Sequence, residues 1–268
     1  MSKGALLFAY NTSETNYFKQ AEISAKRINY FLDLPVTVIT DENSLPQNPN
    51  NVFDHIIITE SDKSNQLRKK VWINKNRFKA FELSPYNETL LLDTDYLVNS
   101  DKLIKTFSLN TDFCCHEKIM YLMDSTPLVE EISNLSYKTC WATVINFKKT
   151  DKVKQIFDTM EMIQNNYVHY SHLHNFVSQP YRNDFSLTLA KQIVNGHIID
   201  SSEIIPWTLV HIADGVTVYK NNNNFYDTQF TLLYDTMYRG KHKKEYLVIK
   251  DMDFHMLNKN NYMELFVE

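Results

Sequence analysis

Two carboxylates spaced i, i+2 stand at the end of an apolar run, Glu88-Thr89-Leu90-Leu91-Leu92-Asp93-Thr94-Asp95. The run reads as a strand buried on both faces, because such strands are near-continuous hydrophobic stretches. Ligands of open α/β sheets gather at the carboxyl ends of their strands, so Asp93 and Asp95 stand where a substrate would. Held close together, two carboxylates repel one another and are costly to desolvate. A hard divalent cation relieves both terms, and Mg²⁺-type ions take one or two carboxylates together with substrate phosphates. The chemistry implied is metal-bridged binding of a diphosphate. An Asp-x-Asp pair can also be the turn after a strand, its side chains bonded to nearby backbone amides. The well-defined strand before it and the basic segment ahead of it favour the metal reading.

The elements that must position these groups alternate in the βα manner. Strands are expected over residues 5–10, 36–40 and 55–59, with a helix over 17–31 between the first two. A parallel sheet follows from that pattern. A helix expected over residues 64–83 carries Trp72, Phe78, Phe81 and Leu83 among basic residues, and Ser84-Pro85 ends it ahead of the carboxylate strand. The second half offers strands over 112–115 and 141–147, helices over 151–165 and 184–192, and strands near His197, Val216 and Tyr246. No linker rich in Pro, Gly or Ser divides the chain. It reads as a single domain over 1–268, with a donor-binding half over about 1–110 and an acceptor-side half over about 111–268.

Composition narrows the chemistry. With 268 residues of which 43% are hydrophobic, a sizeable core is available, and a net charge of −4 gives no global drive toward nucleic acid or acidic membranes. Only Gly4, Gly196, Gly215 and Gly240 occur, each remote from the others. Neither a G-x-G-x-x-G turn nor a P-loop can be built, so phosphates must be held by metal and side chains. Cys114, Cys115 and Cys140 cannot all pair and make no C-x-x-C spacing, which favours a reducing cytoplasm over a disulfide framework. The amino terminus runs directly into a strand without a signal-peptide layout, and no stretch is long enough for a membrane span, so a soluble protein is expected. The run Asn221 to Asn224 reads as a loop.

Several segments, in order, resemble the metal-dependent glycosyltransferases of the GT-A fold, specifically the glycogenin-like and bacterial galactosyltransferase-like group. They are Ala9-Tyr10-Asn11, Arg77-Phe78-Lys79, Leu92-Asp93-Thr94-Asp95, the stretch Trp141 to Phe147, Arg182-Asn183-Asp184, and Asp253 to Lys259. The resemblance covers nearly the whole chain. It implies an α/β fold with a mostly parallel sheet flanked by helices, a single nucleotide-diphospho-sugar transferase domain, and a uridine-diphosphate sugar as donor. It further implies that Asp93, Asp95 and His255 hold Mn²⁺ or Mg²⁺, with Asp93 also near the ribose. Imidazole beside carboxylates suits such ions. Ala9, Tyr10, Asn11 and Thr94 would contact the nucleotide and Arg77 the diphosphate, where a guanidinium gives bidentate geometry. Lys259 would neutralise the departing diphosphate, although the family's His-to-Lys spacing is shortened here and its usual glycine and proline are missing. Asp184 and Asn146 fall on the catalytic, acceptor-facing side, with Asn183 or Asp184 alternatively capping the following helix.

Other constellations point less sharply. His169, His172 and His174 have metal-like spacing but no adjacent carboxylate, and read as surface or cleft residues. The basic runs over 68–79 and 239–244 read mainly as solvated charge, the second in a loop, yet they would serve an anionic acceptor. The expected activity is transfer of a hexose or pentose, with retention implied by the resemblance alone. The acceptor is a glycan or a hydroxymethylated base in the DNA of a bacteriophage-like genome. A catalytically silent sugar-nucleotide binder and a nucleotidyltransferase are the rival classes.

Overall fold

The computed structural model describes residues 2–61, 65–67, 71–122, 130–176, 180–238 and 241–266, without the side chains of 67, 237, 238 and 241. Strand β1 (Lys3–Phe8) leads into helix α1 (Tyr17–Leu32), followed by β2 (Val36–Thr40) and β3 (His55–Ile58). Asn16 starts α1 by accepting the Lys19 N–H at 2.9 Å, and Asp33 ends it in the left-handed region at φ 51°. The α1 residues Phe18, Ala21, Ala25, Ile28 and Leu32 recur at helical spacing and are all buried against the sheet.

Next come two-residue strands β4 (Gln66–Leu67) and β5 (Val71–Trp72), a 3₁₀ turn (Lys75–Lys79) and the short α2 (Ala80–Leu83). Among the described residues, 65–67 and 71–79 therefore form no part of the continuous α-helix expected over 64–83. Asn74 takes a left-handed conformation at φ 43°, which an α-helix does not admit. Trp72 is drawn into an aromatic cluster, its ring centroid 4.9 Å from Tyr10, 5.8 Å from Tyr17 and 6.5 Å from Phe8. Tertiary packing overrides helix propensity here.

Strands β6 (Glu88–Leu92) and β7 (Tyr96–Leu97) flank the two carboxylates. They are followed by β8 (Phe113–His116), β9 (Ile119–Leu122), β10 (Glu131–Ile132), β11 (Tyr137–Lys138) and β12 (Trp141–Lys148). Helices α3 (Asp151–Asn165), α4 (Tyr167–Leu173) and α5 (Asn183–Val194) pack over one face. The chain continues through β13 (Leu209–Ile212), β14 (Thr217–Lys220), β15 (Gln229–Tyr238), β16 (Lys241–Lys250) and β17 (Phe254–Met256) to α6 (Lys259–Glu264).

The central sheet has the order β3-β2-β1-β6-β12-β8 and is mainly parallel, only β12 running against its neighbours. Helices flank it, so β1, β2 and β6 are buried on both faces, as their unbroken apolar runs require, while the edge strand β3 is partly exposed. Gly4 belongs to this packing: a Cβ there would stand 2.3 Å from the Tyr86 ring, whose hydroxyl accepts from Thr37 at 2.8 Å. A second sheet, β7-β17-β13-β9, begins three residues beyond β6, and β14-β15-β16 form an antiparallel third.

Two smaller expectations fail. His197 is in no strand; it follows Gly196 at φ 64°, ending α5, and pairs through Nδ1 with the Tyr137 hydroxyl at 2.7 Å. Lys243 and Lys244 lie in strand β16 rather than in a loop, while Arg68, Lys69, Lys70 and Arg239 lie outside the described residues, as does the Lys241 side chain. The three cysteines are free and buried. Among the described residues no helix is long and apolar enough to cross a membrane.

Candidate functional site

Asp93-Thr94-Asp95 bridges the first two sheets. The Asp93 N–H donates to Thr143 O at 3.0 Å, which ties it to β12. The Asp95 carbonyl accepts the Met256 N–H at 3.0 Å, which ties it to β17 and brings His255 alongside. One ligand atom each from Asp93, Asp95 and His255 lies within 4.8 Å of the others, and among the described residues this is the only such group of three or more metal-ligating side chains. His169, His172 and His174 form none: the first two are exposed on α4, and His174 Nδ1 meets Ser133 Oγ at 3.1 Å.

Charge is unevenly shared in the group. Burial pushes the Asp93 carboxyl up, Arg77 pulls it down, Asp95 pushes it up again, and the net result is above the ordinary value. Burial would also raise Asp95, but the Lys259 ammonium and His255 hold it far below the carboxylate range. Two adjacent acids with opposed shifts are what like-charge repulsion produces. His255 Nε2 stands 3.1 Å from Asp95 Oδ1 and 4.0 Å from Asp93 Oδ2. Burial opposes its protonation, yet Asp95 prevails and raises its pKa.

The donor set fits a divalent cation of the Mg²⁺ or Mn²⁺ kind: two carboxylates and one imidazole, with room left for phosphate or water.

Lys259, at the start of α6, donates to Asp95 Oδ2 and lies over the Tyr17 ring at 5.5 Å. Burial opposes its charge, but Asp95 outweighs this and holds the ammonium above its ordinary value. Lys259 thus neutralises Asp95 before any cation arrives, and an incoming cation must take its place. Replacing it with methionine, which keeps the stem, is expected to raise nucleotide-free Mn²⁺ affinity about tenfold, the equivalent of about 1.4 kcal/mol. A Mn²⁺ titration followed by electron paramagnetic resonance checks this; unchanged or weaker binding would refute the competition.

Arg77 is buried rather than spread over an open cleft. Its side chain is 2% exposed; Nη1 donates to Asp93 Oδ1 at 2.7 Å and Nη2 to the Ala142 carbonyl. It acts on the site by holding Asp93. Asp184 Oδ1 accepts the Ala142 N–H at 2.9 Å and Oδ2 accepts from Arg182 at 2.9 Å. Neither Asn183 nor Asp184 caps α5, since Asn183 Nδ2 donates instead to the Ile73 and Asn74 carbonyls at 3.1 Å.

Two adjoining cavities open on this group. A smaller one of about 180 Å³ is lined by Tyr17, Trp72, Asn74, both carboxylates, His255 and Lys259. A larger one of about 360 Å³ is lined by Arg77, Asp93, Tyr121, Trp141, Arg182 and Asp184, among others. Thr94 borders the smaller cavity, its hydroxyl donating to Gln20 Oε1 at 3.2 Å.

Other expected site residues lie elsewhere. Asn146 is buried in β12, opposite Leu90 and Cys114, and lines neither cavity, because β12 approaches the carboxylates at Thr143. Ala9 has its N–H and carbonyl engaged within the sheet, by Ile39 O at 2.8 Å and Thr40 Oγ1 at 2.6 Å. Tyr10 packs against Trp72 with the rings tilted by 40°, and its hydroxyl meets Thr59. Asn11 Oδ1 accepts the Phe18 N–H at 3.0 Å, and the residue borders a separate cavity of about 400 Å³ with Lys19, Glu22 and Ser44.

The site also contains residues without an expected site role, Tyr17, Trp72, Asn74, Tyr121 and His211, beside Trp141 at the start of the 141–147 stretch. His211 Nδ1 lies 3.2 Å from His255 Nδ1. Burial, with His255 adding to it, pushes its pKa down to about 2.

No family model matches the chain, and no curated protein does. Solved structures that resemble it include the galactosyltransferase LgtC in complex with donor and acceptor sugar analogs, at 14% identity over 70% of each chain and a TM-score of 0.45. An active-site mutant of LgtC matches at 15% identity over 69% of each chain, with a TM-score of 0.44. The glycosyltransferase GlyE of Streptococcus pneumoniae TIGR4 matches at 13% identity over 72% of this chain and 43% of its own, with a TM-score of 0.41. These structural neighbours are glycosyltransferases. At TM-scores below 0.5 the likeness assigns no function, and the site's own geometry has to carry one.

Proposed function

We propose that this chain is a metal-dependent glycosyltransferase of the GT-A kind, moving a sugar from a nucleoside-diphosphate donor, a uridine one, to an acceptor hydroxyl. The observation that carries the reading is the convergence of Asp93, Asp95 and His255, drawn from segments 160 residues apart, beside two adjoining cavities. When bound there, Mn²⁺ or Mg²⁺ supplies Lewis-acid stabilisation of the leaving diphosphate. The protein's own groups do the rest. Arg77 fixes Asp93, and Lys259, once released from Asp95, places a positive charge beside the diphosphate. Asp184 and Arg182 border the larger cavity, where the transferred sugar and acceptor would be oriented away from water. Retention of anomeric configuration follows from the resemblance to the glycogenin-like group.

A glycan acceptor is the better supported choice. The cavity beside Trp141, Tyr121 and Asp184 is lined in the mixed aromatic and polar manner that suits a sugar. The duplex-DNA reading weakens, because Lys243, in the second basic run, already pairs with Glu245 at 2.5 Å. Steep salt dependence needs unneutralised basic side chains.

Incubation with a panel of sugar nucleotides, oligosaccharides and hydroxymethylated DNA, followed by mass spectrometry of the nucleotide and the acceptor, tests the proposal. Release of uridine diphosphate with a sugar added to a glycan is expected, in Mn²⁺ or Mg²⁺ and not in excess chelator. Full turnover in chelator would remove the metal from the reading. Pyrophosphate release would favour a nucleotidyltransferase, and donor binding without turnover a silent binder.

A further inference from the structure

We infer that His211 is a positioning residue that fixes the ring tautomer of His255 and so prepares it to bind the cation. The inference rests on the reading of Asp93, Asp95 and His255 as cation ligands.

The register of the second sheet carries the argument. Strands β9, β13 and β17 are parallel neighbours, with Tyr121 paired to His211 and His211 to His255. Their rings form one row across the sheet. Tyr121 stacks on His211 at 4.5 Å and 10°, and His211 meets His255 edge-on at 4.6 Å and 85°. The sheet backbone therefore sets the separation of the two imidazoles, and the Tyr121 ring limits rotation of His211.

Only one proton fits between two Nδ1 atoms 3.2 Å apart. Which ring carries it decides what His255 can do at Nε2, the atom facing Asp95 at 3.1 Å. If His211 donates, neutral His255 must hold its proton on Nε2, where Asp95 accepts it and no lone pair remains for a cation. If His255 donates from Nδ1, its Nε2 is free to ligate once deprotonated. The second arrangement places the His211 proton on Nε2, an atom that makes no hydrogen bond among the described residues and belongs to a ring only 5% exposed. A ligating histidine whose other nitrogen is held by an acceptor is the usual arrangement around protein-bound metals, and loss of such a partner costs about 10- to 100-fold in affinity. Here the acceptor is an imidazole rather than a carboxylate or carbonyl.

The test uses the full chain with Mn²⁺ alone, followed by electron paramagnetic resonance, together with melting curves that report folding. His211→Leu, which fills the space but accepts no proton, is expected to weaken Mn²⁺ binding about 10- to 100-fold. His211→Asn, whose amide oxygen reaches the Nδ1 position, is expected to recover most of the loss. Nitrogen-15 NMR of the metal-free wild type should show the His211 ring proton on Nε2, a readout independent of whether either variant folds. Wild-type affinity in a folded His211→Leu protein would overturn the inference, as would an Asn variant no better than Leu or a His211 proton on Nδ1. Failure of the wild type to bind Mn²⁺ would overturn the cation reading of the site instead, and the ring-proton measurement separates the two failures.

Discussion

Asp95→Asn is expected to abolish cation-dependent donor turnover, lowering kcat/KM by at least about a thousandfold, or about 4 kcal/mol of transition-state stabilisation. Asp95 is the hub of the group. It meets His255 and Lys259 through its two carboxylate oxygens, and its backbone carbonyl receives the Met256 N–H. The substitution keeps the shape and that backbone bond but leaves Lys259 and His255 without their carboxylate. A lower Tm in a still folded protein is therefore expected, while the charge that draws a cation is lost. Because Lys259 and His255 hold Asp95 ionised far below the carboxylate range, the wild-type charge is present at every pH at which the protein would be assayed. The check is turnover of a labelled sugar nucleotide with and without chelator, beside a melting curve. Full activity in a folded Asp95→Asn protein would remove the carboxylate pair from the chemistry.

Arg77→Ala is expected to damage the fold as well as the site. The guanidinium is buried, and its removal leaves Asp93 without its cation and the Ala142 carbonyl without a donor. Breaking a fully buried pair costs about 3–5 kcal/mol, and since the Asp93 side chain is 33% exposed, the lower end, about 3 kcal/mol, applies. For a chain of this size that corresponds to a fall in Tm of roughly 6–12 °C. Asp93 already titrates above its ordinary value and would rise further without Arg77, leaving less negative charge for a cation. Arg77→Lys should restore the charge but not both bonds, because an ammonium lacks the planar fork that reaches Asp93 and Ala142 together. Differential scanning calorimetry and Mn²⁺ titration of the two variants check this. An Arg77→Ala protein as stable as the wild type would show that the guanidinium is not what holds Asp93.

A segment that completes a site from so far along the chain could be a flap that closes on ligand. Here it is strand β17, hydrogen-bonded to β7 on one side and β13 on the other, with Phe254 and Met256 buried. His255 is placed by the fold before any ligand arrives. In the proposed function Lys259, at the start of α6, exchanges Asp95 for diphosphate and is the part that has to move.

Local patterns were readable without the structure, because burial writes itself into the order of residues. The apolar runs of β1, β2 and β6 announced strands covered on both faces, and the amphipathic spacing of α1 and α3 placed those helices within a residue or two. Asp93 and Asp95 stood out because a strand end is a fixed address in such a sheet. The segment over 64–83 misled, since a density of basic and aromatic residues suits a helix, whereas Trp72 and Arg77 find their partners far away in Tyr10, Tyr17, Asp93 and Ala142. Asn146 had the right strand and the wrong end of it, which only the antiparallel register of β12 against β6 reveals. His211 carried no mark in the sequence at all. Its role depends on β13 lying parallel to β17 with no slip, and a pairing between segments 44 residues apart leaves no trace in local periodicity. Residue order along the chain decided which stretches are buried and which end in acid, and the three-dimensional pairing of strands decided which acid, imidazole and ammonium groups meet.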